Sequence, residues 1–179
     1  KKSNFQLVNK LNILKNNSLF FLEKIKFEEI INTDNLVENY TVFKIYPSTV
    51  NINITKANFL AQVKKDGNNF FLGSNGKLIK ANDTKIDLPF IFGDFEIKNF
   101  FELKNAINET NFDYKDIKNL FFFKSGRWDI ETNSGLLIKL PKNDLKKSFK
   151  LFIRFLEKKD LNKIKKIDLR QRDQIIING

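Results

Sequence analysis

Among its 179 residues the chain has no cysteine, no methionine and no histidine, with one tryptophan, three prolines and seven glycines. Without cysteine there is neither a disulfide nor a thiolate metal site, and the redox state of a compartment places no constraint on the chain. Without histidine or cysteine, the commonest general base and a frequent nucleophile are both missing. A zinc site would need carboxylates alone, which zinc seldom uses. The missing methionine and the opening Lys1-Lys2-Ser3 lead us to expect a fragment or processed product whose native N-terminus has been removed. No stretch approaches the roughly 20 apolar residues needed to cross a bilayer. The longest apolar runs, Leu19 to Leu22 and Leu120 to Phe123, have the length of strands.

What is present is basic and apolar together: hydrophobic residues make up 41% and the formal net charge is +11. That apolar share is enough for packed cores and argues against wholesale disorder. The charge invites a nucleic-acid reading. Nucleic-acid surfaces, however, favour clustered arginine, and here four arginines are scattered among 28 lysines in a chain rich in Asn, Ile and Phe. Biased amino-acid usage accounts for the charge better.

Catalysis finds no foothold. Gly73-Ser74-Asn75-Gly76 lacks a following Lys-Ser/Thr and precedes a strand, so it is not a phosphate loop. Asp113 and Asp116 sit in a polar stretch with nothing apolar to split their pKa values, so a solvated turn explains them. No Lys–Ser pair is singled out by spacing.

The periodicities describe an α+β chain in two parts. Leu7, Val8, Leu11, Ile13 and Leu14 recur at helical spacing, Leu19-Phe20-Phe21-Leu22 reads as a brief strand, and residues 25–32 return to a helix. Val37 to Tyr46 is β-branched and aromatic, and Val50-Asn51-Ile52-Asn53-Ile54-Thr55 alternates without a fault, as a strand with one wet face does. The second part begins near Ala57. Phe59 to Val63 and Asn69 to Leu72 form a hairpin across Asp66-Gly67. Lys77 to Ala81 is a further strand, Leu88 to Gly93 an irregular apolar segment, and 97–107 an amphipathic helix. Strands follow at Ile117 to Phe123, Arg127 to Glu131 and Leu136 to Leu140. Leu145, Phe149, Phe152 and Leu156 then form one apolar stripe, with Lys146, Lys147, Lys150 and Lys158 on the wet face. Those lysines raise the thought of a membrane surface, but the stripe is as narrow as packing on a sheet demands. Lys165 to Arg170 and Gln174 to Ile177 close the chain as strands, giving an antiparallel sheet with helices on one face.

Several segments, in order, resemble the FtsQ/DivIB family of bacterial cell-division proteins. Residues 1–56 are similar to its small POTRA domain (order α-β-α-β-β), with Val42-Phe43-Lys44-Ile45-Tyr46-Pro47 and Val50 to Ile54 as the closing strand pair. Residues 57–179 resemble its β-domain. The motifs are Leu88-Pro89-x-x-x-Gly93, Arg127-Trp128-Asp129-Ile130 with Gly135, Ile138-Lys139-Leu140-Pro141, and Ile167-Asp168-Leu169-Arg170, the last the most specific. Of the acidic-basic-x-Pro-x-Ala stretch that the family often carries at the junction, only Ala61 is clearly kept.

The resemblance implies a non-enzymatic divisome scaffold anchored in the inner membrane by one preceding span, with this piece in the periplasm. Its implied partners are FtsB- and FtsL-type proteins, and its implied role is helping to control septal wall synthesis. No cofactor, metal, nucleic acid or small-molecule substrate is implied. Partner binding would fall on Arg170, Gln171, Arg172, Asp173, Gln174, Ile175, Ile176 and Ile177, where a terminal β-branched run suits an edge strand. Arg170 could meet an acidic partner residue or pair locally with Asp168 or Asp173. Trp128 could anchor an interface, though core is the commoner place for a lone strand tryptophan. A second partner surface would involve Val42 and Lys44. The rival readings are a POTRA-bearing protein of outer-membrane assembly, which should show tandem repeats, and a basic nucleic-acid binder.

Overall fold

A computed structural model describes residues 2–81, 86–157 and 164–178, with side chains from residue 6 onward except that of Asn16. Lys158, assigned above to the wet face of the last helix, lies outside the described residues. The chain divides into two compact units, one of Lys1–Phe59 with Leu72–Ile79, the other of Leu60–Phe71 with Lys80–Gly179.

In the first unit, helix α1 (Lys2–Asn12) ends in a 3-10 turn over Ile13–Asn16, and helix α2 (Lys24–Asn32) leads into strands β1 (Val37–Ile45) and β2 (Thr49–Lys56). β1 and β2 pair antiparallel, with Val42 opposite Ile52 and Lys44 opposite Val50. Leu7, Leu22, Phe27, Ile31 and Val37 form the core, and the inward alternates Tyr40, Val42, Val50 and Ile52 pack on it. Leu19 to Leu22 is not a strand. Phe21 N–H donates to the Ser18 carbonyl at 3.1 Å, closing a turn. That turn buries Leu19 and Leu22, three positions apart, and turns Phe20 and Phe21 out. Four consecutive apolar residues carry no period, so the run alone did not separate a strand from a turn with two anchors.

Asn75 ties residues 72–79 to this unit. Its amide donates to the carbonyls of Asn35 (2.9 Å) and Val37 (2.8 Å), while its own oxygen accepts from Lys77 N–H (3.0 Å). Ser74 hydroxyl donates to Glu38 at 2.7 Å and accepts from Asn58 N–H at 2.9 Å.

Among the described residues the larger sheet has nine strands, in the order β11-β10-β9-β8-β7-β6-β3-β4-β5. They are β3 (Phe59–Lys65), β4 (Asn68–Gly73), β5 (Leu78–Lys80), β6 (Phe90–Phe92), β7 (Ile117–Phe122), β8 (Trp128–Thr132), β9 (Leu137–Lys139), β10 (Lys166–Asp168) and β11 (Ile176–Asn178). The α+β class holds, but the sheet is mixed rather than wholly antiparallel: β3–β6, β6–β7 and β9–β10 run parallel. The segment read as irregular, Leu88 to Gly93, supplies β6, an interior strand of only three residues. A proline just ahead of it and so short a run hid it from pattern reading.

Register explains how this sheet buries one face. Ile91, Leu120, Ile130, Ile138 and Ile167 stand side by side across β6 to β10 and are all within 2% of full burial. Helices α3 (Ile97–Asn108) and α4 (Leu145–Leu156) pack on each other, and Phe100, Leu103, Ile107, Phe149 and Phe152 are buried with that row. The α4 stripe is thus a core stripe. Trp128, also buried, packs on Phe122 (centroids 4.7 Å) and Phe95 (5.8 Å), so it is core and not an interface anchor.

Gly93 shows why its motif needs glycine. Its φ is +100°, and a Cβ there would sit 2.1 Å from the Phe122 carbonyl oxygen. At Gly135 φ is +84° but a Cβ would meet nothing within 4 Å. We therefore expect Gly135→Ala to cost about 1–2 kcal/mol, the left-handed penalty alone. Gly93→Ala should cost clearly more, because backbone must move as well. Urea midpoints of the two variants check this; equal losses would contradict the clash.

Candidate functional site at the sheet edge

The residues proposed from sequence for partner binding converge on one end of the larger sheet. β11 is its outermost strand and pairs antiparallel with β10, placing Ile177 beside Ile167 and Ile176 beside Asp168. Among the described residues no strand lies along the other side of β11. Only Ile176 and Ile177 of the proposed set are in the strand. Arg170 to Ile175 form the turn that precedes it, with Asp173 in the left-handed region at φ 59°.

The core row continues onto β11 and loses its cover there. Ile177 extends the buried line of Ile91 to Ile167 but is 40% exposed, and Ile176 on the opposite face is 47% exposed. Three residues per strand give the last pairing few hydrogen bonds, so the edge has both unpaired backbone groups and apolar surface to offer.

The opposite face carries charge. Phe92, Phe121, Asp129, Lys139, Asp168 and Ile176 form a second row across β6 to β11. Phe92 stacks on Phe121 at 5.1 Å between centroids. Lys139 lies opposite Asp129 on one side and Asp168 on the other. Arg170 pairs with Asp168, not Asp173: its Nε donates to both carboxylate oxygens at 2.9 and 3.0 Å, and its own N–H donates to Oδ1 at 3.0 Å. Asp173 instead meets Lys147 of α4, Nζ to Oδ1 2.6 Å. The hydrogen bonds from Arg170 hold the Asp168 carboxyl below the usual carboxylate range. Burial pushes Asp129 the other way, against the attraction of Arg127, Lys139 and Arg170. Arg127 Nε stands 3.7 Å from Asp129 Oδ1, too far for a hydrogen bond, and its guanidinium lies over the Phe123 ring at 4.2 Å.

The second proposed surface is arranged differently. Val42 and Lys44 point inward: Val42 packs on the core of its unit, and Lys44 Nζ donates to the Leu19 carbonyl at 3.2 Å. The outward alternates of β1 are Thr41, Phe43 and Ile45, which the two inward candidates did not include.

Among the described residues no three His, Cys, Asp or Glu side chains come together as a metal site would need, and no helix is long and apolar enough to cross a membrane. Two α+β units, with the larger sheet ending in a strand that has no described neighbour on its outer side, define the module. Residues 61–170 match the family described as "Cell division protein FtsQ/DivIB, C-terminal". The chain belongs to the FtsQ/DivIB family of cell division proteins.

It is similar to cell division protein FtsQ of Bradyrhizobium diazoefficiens, 23% identical over 168 residues, covering 89% of this chain and 48% of that protein. It is also similar to cell division protein DivIB of Staphylococcus aureus, 30% identical over 142 residues, covering 73% of this chain and 31% of that protein. The chain therefore spans less than half the length of these relatives. Among solved structures, the major extracytoplasmic domain of DivIB from Geobacillus stearothermophilus aligns with a TM-score of 0.39 and 16% identity, over 52% of this chain and 85% of that one.

The two carboxyls predict opposite pH behaviour. A lowered folded pKa means Asp168 stabilises the fold above the ordinary carboxylate pKa and loses that contribution as pH falls through its folded value. Asp168→Asn should therefore cost about 1 kcal/mol at pH 7, a figure kept low because Arg170 is partly exposed. The gap to the parent should close well below the ordinary pKa of about 3.9. Asp129, whose folded pKa is raised, opposes folding once ionised, so Asp129→Asn should not lower Tm at pH 7. Thermal unfolding from pH 2 to 8 distinguishes the two.

Proposed function

We propose that this chain is the extracytoplasmic part of a membrane-anchored divisome scaffold, with residues 1–56 as a POTRA-type domain and 57–179 as an FtsQ-type β-domain. It is non-enzymatic, and it binds FtsB- and FtsL-type partners by adding a partner strand along β11, helping to control septal wall synthesis. The observation that carries this reading is the end of the core row. Ile177 stands in line with five buried residues yet is half uncovered, on a strand whose outer side has no described neighbour. A partner strand there would satisfy backbone groups and extend the helix-backed face by one residue column. Arg170, already engaged by Asp168, then serves first to hold the turn that delivers β11.

The test is co-purification of the protein with an FtsB- and FtsL-type pair. Ile177→Asp places a charge in the extended core row, and Ile176→Pro removes a ladder donor. Each should weaken binding at least tenfold while leaving the unfolding temperature near that of the parent, because β11 contributes little to the core. Undiminished binding by both variants would remove strand addition as the mechanism.

A further inference from the structure

The first unit has an apolar projection that the edge-strand mechanism does not use. The turn over 18–21 drives Phe20 and Phe21 outward, 71% and 83% exposed, and Ile13 in the adjoining 3-10 turn is 73% exposed. Tyr46, in the turn just after β1, reaches Phe20: the two rings lie 5.0 Å apart. Lys44 ties the two segments by its bond to the Leu19 carbonyl. Ile25, at the start of α2, is exposed as well. Exposed side chains of this size are ordinary when scattered; consecutive aromatics at a turn, joined by a tyrosine, are not.

Two occupants fit an apolar surface of this kind, and shape decides between them. Beside the projection runs a groove of about 570 Å³ lined by Leu11, Leu14, Leu19, Leu22 and Val50 among others, where an amphipathic peptide could lie. But Ile13, Phe21 and Ile25 do not line that groove. A peptide seated there would leave the most exposed apolar residues in water. A flat apolar medium with a polar surface needs no groove and can take up tips that stand outside one.

Charge agrees. Residues 13–27 and 43–50 hold four lysines, Lys15, Lys24, Lys26 and Lys44, against one carboxylate, Glu23. One turn further along α2, Glu28 is held by Lys24 at 3.4 Å, and Glu29 follows it. Lys44 is turned inward and Lys24 is held by Glu28, so Lys15 and Lys26, both exposed, are the flanking lysines able to reach anionic headgroups while the rings enter the interface.

We propose that Ile13, Phe20, Phe21 and Tyr46, with the flanking lysines, form a site that docks this unit onto an anionic phospholipid bilayer surface. The site is separate from β11 and does not rest on strand addition.

Sedimentation with vesicles of phosphatidylglycerol and phosphatidylcholine tests it. The protein should pellet with them, and the double variant Phe20→Ser/Phe21→Ser should lose at least tenfold in partition with an unchanged far-UV spectrum. Ile177→Asp should partition like the parent. In a Phe21→Trp variant the new indole should shift to the blue on binding and be quenched by brominated acyl chains, whereas Trp128, 2% exposed, should not respond. Any of three results overturns the proposal: no pelleting, equal pelleting of the double serine variant, or an unquenched Phe21→Trp indole. Capture of the protein by an immobilised amphipathic peptide but not by vesicles would reassign the surface to peptide docking, and so also overturns it.

Discussion

One constraint organises the larger unit: a single register row across its sheet is fully buried. That row runs from Ile91 through Leu120, Ile130 and Ile138 to Ile167, five strands contributing one buried residue each, and the buried faces of α3 and α4 belong to the same unit. Strands of three residues cannot be held by their own ladder bonds. They stay in register because a slip of one residue would move each isoleucine from the helices to the open face and bring a phenylalanine, aspartate or lysine inward. Two of the parallel pairs are helix crossovers: β7 and β10 each enter the sheet after a helix, α3 and α4, and each runs parallel to the strand that precedes that helix.

The open face is what such a sheet leaves over, and it is not uniform. Towards β6 it is aromatic, with Phe90, Phe92 and Phe121 in contact one after another. Towards β10 it is ionic, with Asp129, Lys139, Asp168 and Arg170 in alternating sign. Arg170 matters most: its hydrogen bonds let Asp168 keep its charge close to the interior just where the chain turns towards β11, and Lys139, between the two carboxylates, adds a smaller attraction. The most specific motif in the sequence, Ile167-Asp168-Leu169-Arg170, is therefore two structures in four residues. Ile167 and Leu169 enter the core, while Asp168 and Arg170 clamp the turn.

Legibility in the sequence tracked how many residues carried each signal. β2 was readable from six alternating positions, α4 from a four-residue stripe, and the β3–β4 hairpin from Asp66-Gly67, both of which adopt positive φ. Leu19 to Leu22 and Leu88 to Gly93 were not readable, because apolar runs of four to six residues have no period and their role is set by what lies next to them. The mixed character of the sheet was equally hidden: strand direction depends on where helices return the chain. At the sheet edge, residue types placed Ile176 and Ile177 on a strand, but the pairing of Arg170 with Asp168, and of Asp173 with Lys147, needed the turn geometry. Asn75, with three hydrogen bonds, gave no signal at all beyond its place before a glycine.

The described part of β11 is anchored from outside itself. Ile176 and Ile177 remain nearly half in water, so their side chains add little to the hold of β10 on the strand. The Asp168–Arg170 clamp and the Asp173–Lys147 bridge lie in the turn just ahead and fix where the strand begins. Apolar sheet edges are prone to indiscriminate pairing, and charged groups beside the edge oppose it. Charge ahead of the strand therefore sets its position, while the apolar side chains, Ile176 and Ile177, lie within it.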